Sequence, residues 1–291
     1  MNLKLRIVFF LLLVVGVFII FFPSLTNETK YALTSEQNVV NVLAITPTPT
    51  PTLTPTLTPT PTPIKPLNDY TWAEISAISQ IISANNLTSQ EVYDQYGWSV
   101  GDAKSDVING KTYYFRIIGV NHDAKSDGSG TAGLTFDLAS VIDTSYMNST
   151  GTNVGGWTSS YIRSTIMPKY LALLPSDLQA VIVPVNKLTS MGNAKATITT
   201  TSDKLFLLSE VEVTGIETSY IFTGEGTQYE WYAAHSQADY IKLNANGVPA
   251  TWYVRTPVNG NAANFHYIDT TGAATGCKAN VVNGISFAFC L

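Results

Sequence analysis

Residues 67–291 predict an α+β domain, built from short antiparallel strands with two or three helices. Three observations carry that reading. Four Asn-Gly pairs fall at 109–110, 246–247, 259–260 and 283–284, and this dipeptide suits tight hairpin turns that need φ > 0. The chain end alternates, with Ile285, Phe287, Phe289 and Leu291 interleaved by Ser286, Ala288 and Cys290, the period of a strand buried on one face. Helical spacing, by contrast, is confined to a few short windows.

Taken in order, the first element is a helix. Thr71-Trp72-Ala73-Glu74 forms a capping box, in which Glu74 reaches back to the Thr71 amide. Trp72, Ile75, Ile78, Ile81 and Ile82 follow at helical spacing, and Asn85-Asn86 closes the run. Val107-Ile108 and Tyr113–Val120 form a hairpin through Asn109-Gly110. Both faces of that second strand are apolar apart from Arg116, which places it inside a sheet. A second helix begins at Thr158 or Ser159, buries Tyr161, Ile162 and Ile166, and ends at Pro168. A third short one starts at Ser176. No internal repeat occurs at a period of 20–50 residues.

Ahead of this domain the composition changes twice. Lys4 and Arg6 precede a run from Ile7 to Phe22 with no polar side chain, stopped by Pro23. The run is long for a signal-peptide core and short for a spanning helix, which needs about 20 residues. Segment 1–22 is therefore a signal anchor or a signal peptide; no Ala-x-Ala cleavage pattern follows it. The flanking basic residues leave the N-terminus in the cytoplasm and export everything after it. Segment 23–66 is a disordered, Thr/Pro-rich stalk. Eight of the chain's 14 prolines lie between Pro47 and Pro66, and proline both fixes φ and removes amide donors. At about 3.1 Å per residue the Thr-Pro tract would hold the domain on the order of 50 Å from its anchor. The expected location is thus the cell membrane, single-pass with an extracellular domain, or secreted if the signal is cleaved.

Charge narrows the partners. The chain has 16 basic and 21 acidic residues. Setting aside Lys4, Arg6, Lys30 and Lys65, with Glu28 and Glu36, leaves 12 basic against 19 acidic, a net of −7. Such a surface argues against nucleic acid. The expected partners are the membrane, through the N-terminal segment, and an extracellular glycan or protein.

Several ordered motifs carry a family resemblance. Trp98-Ser-Val-Gly-Asp102, Asn121-His-Asp123, Gly155-Gly-Trp157-Thr-Ser-Ser160-Tyr-Ile-Arg163 and Asp203-Lys-Leu-Phe-Leu-Leu-Ser-Glu210 are four of them. Glu225-Gly-Thr-Gln-Tyr229, Trp252-Tyr-Val-Arg255-Thr-Pro257 and Gly284-Ile-Ser-Phe-Ala-Phe-Cys290-Leu291 complete the set. Together, over nearly all of 70–291, they resemble the bacterial and phage extracellular domains grouped as domain of unknown function 6273. That family has no established activity, so the resemblance transfers no catalytic residue. The order of helices, the late Trp-x-x-Arg-x-Pro and the closing aromatic strand are also similar, more distantly, to the C-type-lectin-like fold and its formylglycine-generating relatives. Those carry Gly-Phe-Arg near the end of the domain, where Phe287-Ala288-Phe289 stands here.

Candidate chemistry is sparse. The loop Asn121–Gly133 has Lys125 in the middle of Asp123-x-x-x-Asp127, the wrong pattern for calcium, and one His with one Asp is too little for zinc. No metal or cofactor is assigned. Trp157, Ser160 and Arg163 share a helix face, with Ser160 placed to cap and Arg163 to pair with Asp203 or Glu210. Ser160 lacks both a base and a Gly-x-Ser-x-Gly elbow. Cys277 and Cys290, the two cysteines, form either a disulfide, which would contribute about 3 kcal/mol, or two free thiols. The stretch after Trp252 is dense in polar and aromatic groups, the usual equipment of a binding loop. Trp252, Arg255, Asn259, Asn261, Asn264 and Tyr267 are the expected ligand contacts; His266 lies in the same stretch. The function this predicts is a cell-surface or secreted binding module. The alternative is an extracellular polysaccharide hydrolase using carboxylates such as Glu225, Glu230 or Asp239.

Overall fold

A computed structural model of the chain describes residues 64–193, 197–216 and 223–291. The hydrophobic segment 1–22 and nearly all of the Thr/Pro-rich stalk lie outside these residues. Among the described residues no helix is long and apolar enough to cross a membrane. Lys65, assigned to the stalk by composition, already contacts the domain through an ion pair to Glu74 at 3.3 Å.

Helices α1 (Trp72–Asn85) and α2 (Ser89–Tyr96) follow one another, each opened by a complete capping box, Thr71 with Glu74 and Thr88 with Glu91. Both end on a left-handed residue, Asn86 at φ 49° and Gly97 at φ 70°, which satisfies their last carbonyls. The predicted α1 is present with its boundaries; α2 was legible only in Thr88-x-x-Glu91. Strands β1 (Ala103–Ile108) and β2 (Lys111–Val120) form the predicted hairpin, with Asn109 and Gly110 both at positive φ. β2 then pairs with β3 (Leu134–Leu138) and so lies inside the sheet, as its apolar faces imply.

The next stretch departs from expectation. β4 (Asp143–Ser145) is followed by a 3-10 turn at Trp157–Ser159 and a π-helical turn at Ile162–Ile166. The helix α3 (Met167–Leu173) then runs through Pro168 instead of ending there. Pro168 occupies the first turn of α3, where no amide donor is required. α4 (Ser176–Val181) starts where the sequence places it. A two-stranded ribbon, β5 (Val185–Ser190) with β6 (Ile198–Asp203), precedes the short helices α5 (Glu210–Thr214) and α6 (Glu230–Ala233). β7 (Lys242–Leu243) and β8 (Pro249–Ala250) make a small hairpin. The remaining strands are β9 (Trp252–Pro257), β10 (Asn264–Ile268), β11 (Ala274–Lys278), β12 (Asn283–Ile285) and β13 (Ala288–Cys290). Six α-helical segments among the described residues exceed the two or three expected, because four of them are a turn or two long.

Two sheets organise the whole. One has the order β1-β2-β3-β13 and the other β11-β10-β9-β12-β4. The predicted single C-terminal strand is in fact two, because the chain crosses at Ser286-Phe287 from the second sheet to the first. Residues 283–291 are all buried as a result, on both faces and not one. The fourth Asn-Gly pair accordingly lies in β12 and not in a turn. A Cβ on Gly284 would sit 2.3 Å from the Thr251 carbonyl oxygen, so close backbone approach demands glycine there. Between the sheet and α1, Trp72 packs edge-on against Phe115, Phe136 and Phe289 at 5.6–5.9 Å, contacts worth about 0.5–1.5 kcal/mol each beyond area burial. The crossing also decides the cysteines. Cys277 stays in one sheet and Cys290 in the other, and both are free thiols, so the disulfide alternative is corrected.

Candidate functional site

The predicted contact stretch divides at its middle. All six residues of β9 are buried. Trp252 is core, with its Nε1 donating to the Tyr240 carbonyl at 3.1 Å. Arg255 is fully buried as well, and each of its N–H groups has a partner. Its guanidinium grips Glu212 at 2.5 and 2.8 Å and donates to the Leu207 and Glu225 carbonyls and to Thr189 Oγ1. Glu212 in turn accepts from Lys187 at 2.7 Å, and Lys187 reaches Asp123 at 2.7 Å and the Tyr229 hydroxyl at 3.0 Å. Asp123, Lys187, Glu212 and Arg255 thus form a buried chain of alternating charge. Burial alone would raise both carboxyl groups. The adjacent cations outweigh it: Lys187 beside Asp123 holds that carboxyl well below its ordinary range, and Arg255 holds Glu212 below its own. Trp252 and Arg255 are therefore structural, contrary to the contact role expected of them.

Beyond β9 the polar groups change character. β10 and β11 face α5 across a trough. One hollow of about 440 Å³ is lined by Glu210, Val258, Asn264, His266, Ala274, Thr275 and Gly276. A second, of about 390 Å³, shares Glu210 and Ala274 and continues over Thr214, Ile216, Gln237 and Tyr240. Glu210 Oε2 meets His266 Nδ1 where the hollows join. Both side chains are over nine-tenths buried, yet they border open space. The Asn264 backbone is fixed by the Asn153 amide and by Asn261, while its side-chain amide has no hydrogen-bond partner among the described residues.

The other predicted contacts do not line this trough. Asn261 Oδ1 accepts from the Ala263 and Asn264 amides at 2.7 and 3.1 Å, shaping the turn. Asn259 sits in that turn beside Gly260, whose φ is 76°. Tyr267 lies on the opposite face of β10 from His266, because successive strand residues alternate. Glu210 was not anticipated as a contact. Its signal was Ser209-x-x-Glu212, a capping box that starts α5 and sets Glu210 on the helix's first position.

The hydrolase candidates are scattered. Glu225 is interior; burial pushes its carboxyl up to about 7 despite hydrogen bonds from the Thr256 hydroxyl and the Ser190 amide. Glu230 is exposed and accepts from Ser89, and Asp239 caps Ser236. None of the three lines the trough. Among the described residues no group of three or more His, Cys, Asp or Glu is arranged to hold a metal ion.

Residues 134–291 match the family described as Domain of unknown function (DUF6273). The match spans more than half of the chain, and the chain belongs to that family. It begins at β3 and includes both walls of the trough; the motifs at Trp98–Asp102 and Asn121–Asp123 lie ahead of it. No curated protein and no solved structure matches the chain.

Proposed function

We propose that this chain is a binding module, displayed at the cell surface on its Thr/Pro-rich stalk, that takes a hydrogen-bonding ligand in the trough between α5 and β10–β11. The observation that carries the reading is the meeting of two hollows at Glu210, which contacts His266, with the Asn264 amide, unpartnered among the described residues, on the wall of one of them. Carboxylate and amide groups at the rim of a part-apolar concavity are the ordinary equipment of recognition. The sequence of the N-terminal segments supports export and anchoring, and the motif order supports a C-type-lectin-like architecture. Glycoside hydrolysis needs two facing carboxyl groups, and among the described residues Glu210 is the one carboxylate that lines the trough.

The test is a screen of the full-length chain against glycan, peptidoglycan and peptide arrays, followed by hydrogen exchange with the best ligand. The expected result is a saturable ligand that slows exchange in the segment 264–276. A ligand that leaves that segment unchanged, or the absence of any saturable ligand, overturns the proposal.

A further inference from the structure

The two large sheets have four outer strands, and three of them are covered. On β1 the Ser105 amide donates outward to Asn68 Oδ1 at 2.8 Å. β13 is bridged by Val183 and Phe206. β4 is three residues long, with Asp143 held by Tyr170 and Lys169 from α3. β11 differs. The bonds Asp269 N to Ala273 O and Ala279 N to Ala263 O fix the hairpin phase, so the pairs Phe265–Cys277 and Tyr267–Thr275 exchange hydrogen bonds. Ala274 and Gly276 then direct their N–H and C=O groups away from β10, and neither has another partner among the described residues. Lys278, at the strand's end, limits this open stretch, as edge lysines do.

We infer that the partner is an extended, basic peptide segment that adds antiparallel to β11 as a sixth strand and places a lysine or arginine side chain on Glu210. This deepens the binding proposal and rests on it. The strand edge supplies main-chain hydrogen bonds and the hollows supply side-chain specificity, the division of labour in β-strand addition. A residue opposite Gly276 exchanges both backbone bonds with it, and its side chain lies on the face that carries His266. Ala274 leaves that face low, whereas Val258 Cγ2 lies 2.9 Å from where a Cβ on Gly276 would stand, so the incoming side chain reaches the trough beside Ala274. Among the described residues the carboxylate of Glu210 is the acidic group lining both hollows, and the net charge of −7 over 67–291 favours approach of a cationic segment.

The test uses the full-length chain and the blocked decapeptide (Thr-Lys)5, read by fluorescence anisotropy, with (Thr-Glu)5 as the acidic counterpart. The basic peptide should bind and the acidic one should not. N-methylation at every lysine should abolish binding, because those amides face Gly276 and Ala274; N-methylation at every threonine should be tolerated. Glu210→Gln should weaken the basic peptide by about tenfold or more, the scale of one lost charged hydrogen bond. Equal tolerance of both methylations, or no binding of (Thr-Lys)5 at millimolar concentration, overturns the inference. Should a soluble glycan instead protect segment 264–276, the trough remains a binding site and only the peptide assignment fails.

Discussion

β9 and the β10–β11 hairpin are adjacent strands of one sheet, and they treat their polar side chains in opposite ways. Arg255 on β9 has every donor paired within the protein. Asn264, nine residues later, has a side-chain amide with none among the described residues, beside a carboxylate–imidazole pair that borders a hollow. The difference shows that density of polar residues along a sequence does not identify a binding surface. Saturation does: a polar group whose partners are all internal holds the fold, and a group left partly unsatisfied at a concavity is available to a ligand.

The sharpest way to break the comparison is on its saturated side. Arg255→Leu takes away one of the two cations that hold Glu212 and leaves Lys187 to serve both Glu212 and Asp123, and removing one member of a buried ion pair costs about 3–5 kcal/mol. Urea denaturation should show a loss of that size; a loss under 1 kcal/mol would place Arg255 outside the supporting network.

Glu225 supplies the next effect. Its carboxyl titrates at about 7 in the fold against 4.5 in the unfolded chain. Between those values the folded state holds the extra proton, so stability falls as pH rises from about 4.5 to 7. The loss is on the order of 3 kcal/mol. Glu225→Gln should flatten that slope in denaturation midpoints taken at pH 5, 6 and 7, and an unchanged slope would assign the titration to other groups.

Asn261, in the loop that joins the two halves, should lie between the extremes. Asn261→Ala removes two side-chain acceptor bonds, a loss of about 1–2 kcal/mol. Thermal unfolding checks it, and a neutral outcome would mean the turn is held by its backbone alone.

Much of the scaffold was legible in advance. The Thr71 capping box, the Asn109-Gly110 hairpin and the internal position of β2 are local signals with local causes. The pairing of Arg163 with Asp203, at 2.7 Å across 40 positions, was one of two partners the sequence offered. What escaped was non-local. Ile285–Leu291 alternates as one strand would, but a change of sheet at Ser286-Phe287 buries both faces, and no periodicity encodes a sheet switch. Arg255 and Asn264 are both polar residues in a polar-rich stretch. Their fates differ because Glu212, 43 positions before Arg255, arrives on α5 to meet it, whereas none of the described residues hydrogen-bonds the Asn264 side-chain amide. Glu210 was missed for the same reason: its place opposite His266 depends on α5 packing beside β10.

The central claim, that the β10–β11 side of the sheet is a ligand site and not part of the supporting network, is tested most directly by calorimetric titration of Asn264→Ala with the array-selected ligand. The variant should keep its melting temperature, since a change at an unpartnered amide costs less than about 0.5 kcal/mol. It should bind about tenfold more weakly or worse, the cost of one lost hydrogen bond in a closed site. Wild-type affinity in a folded Asn264→Ala protein would contradict the account.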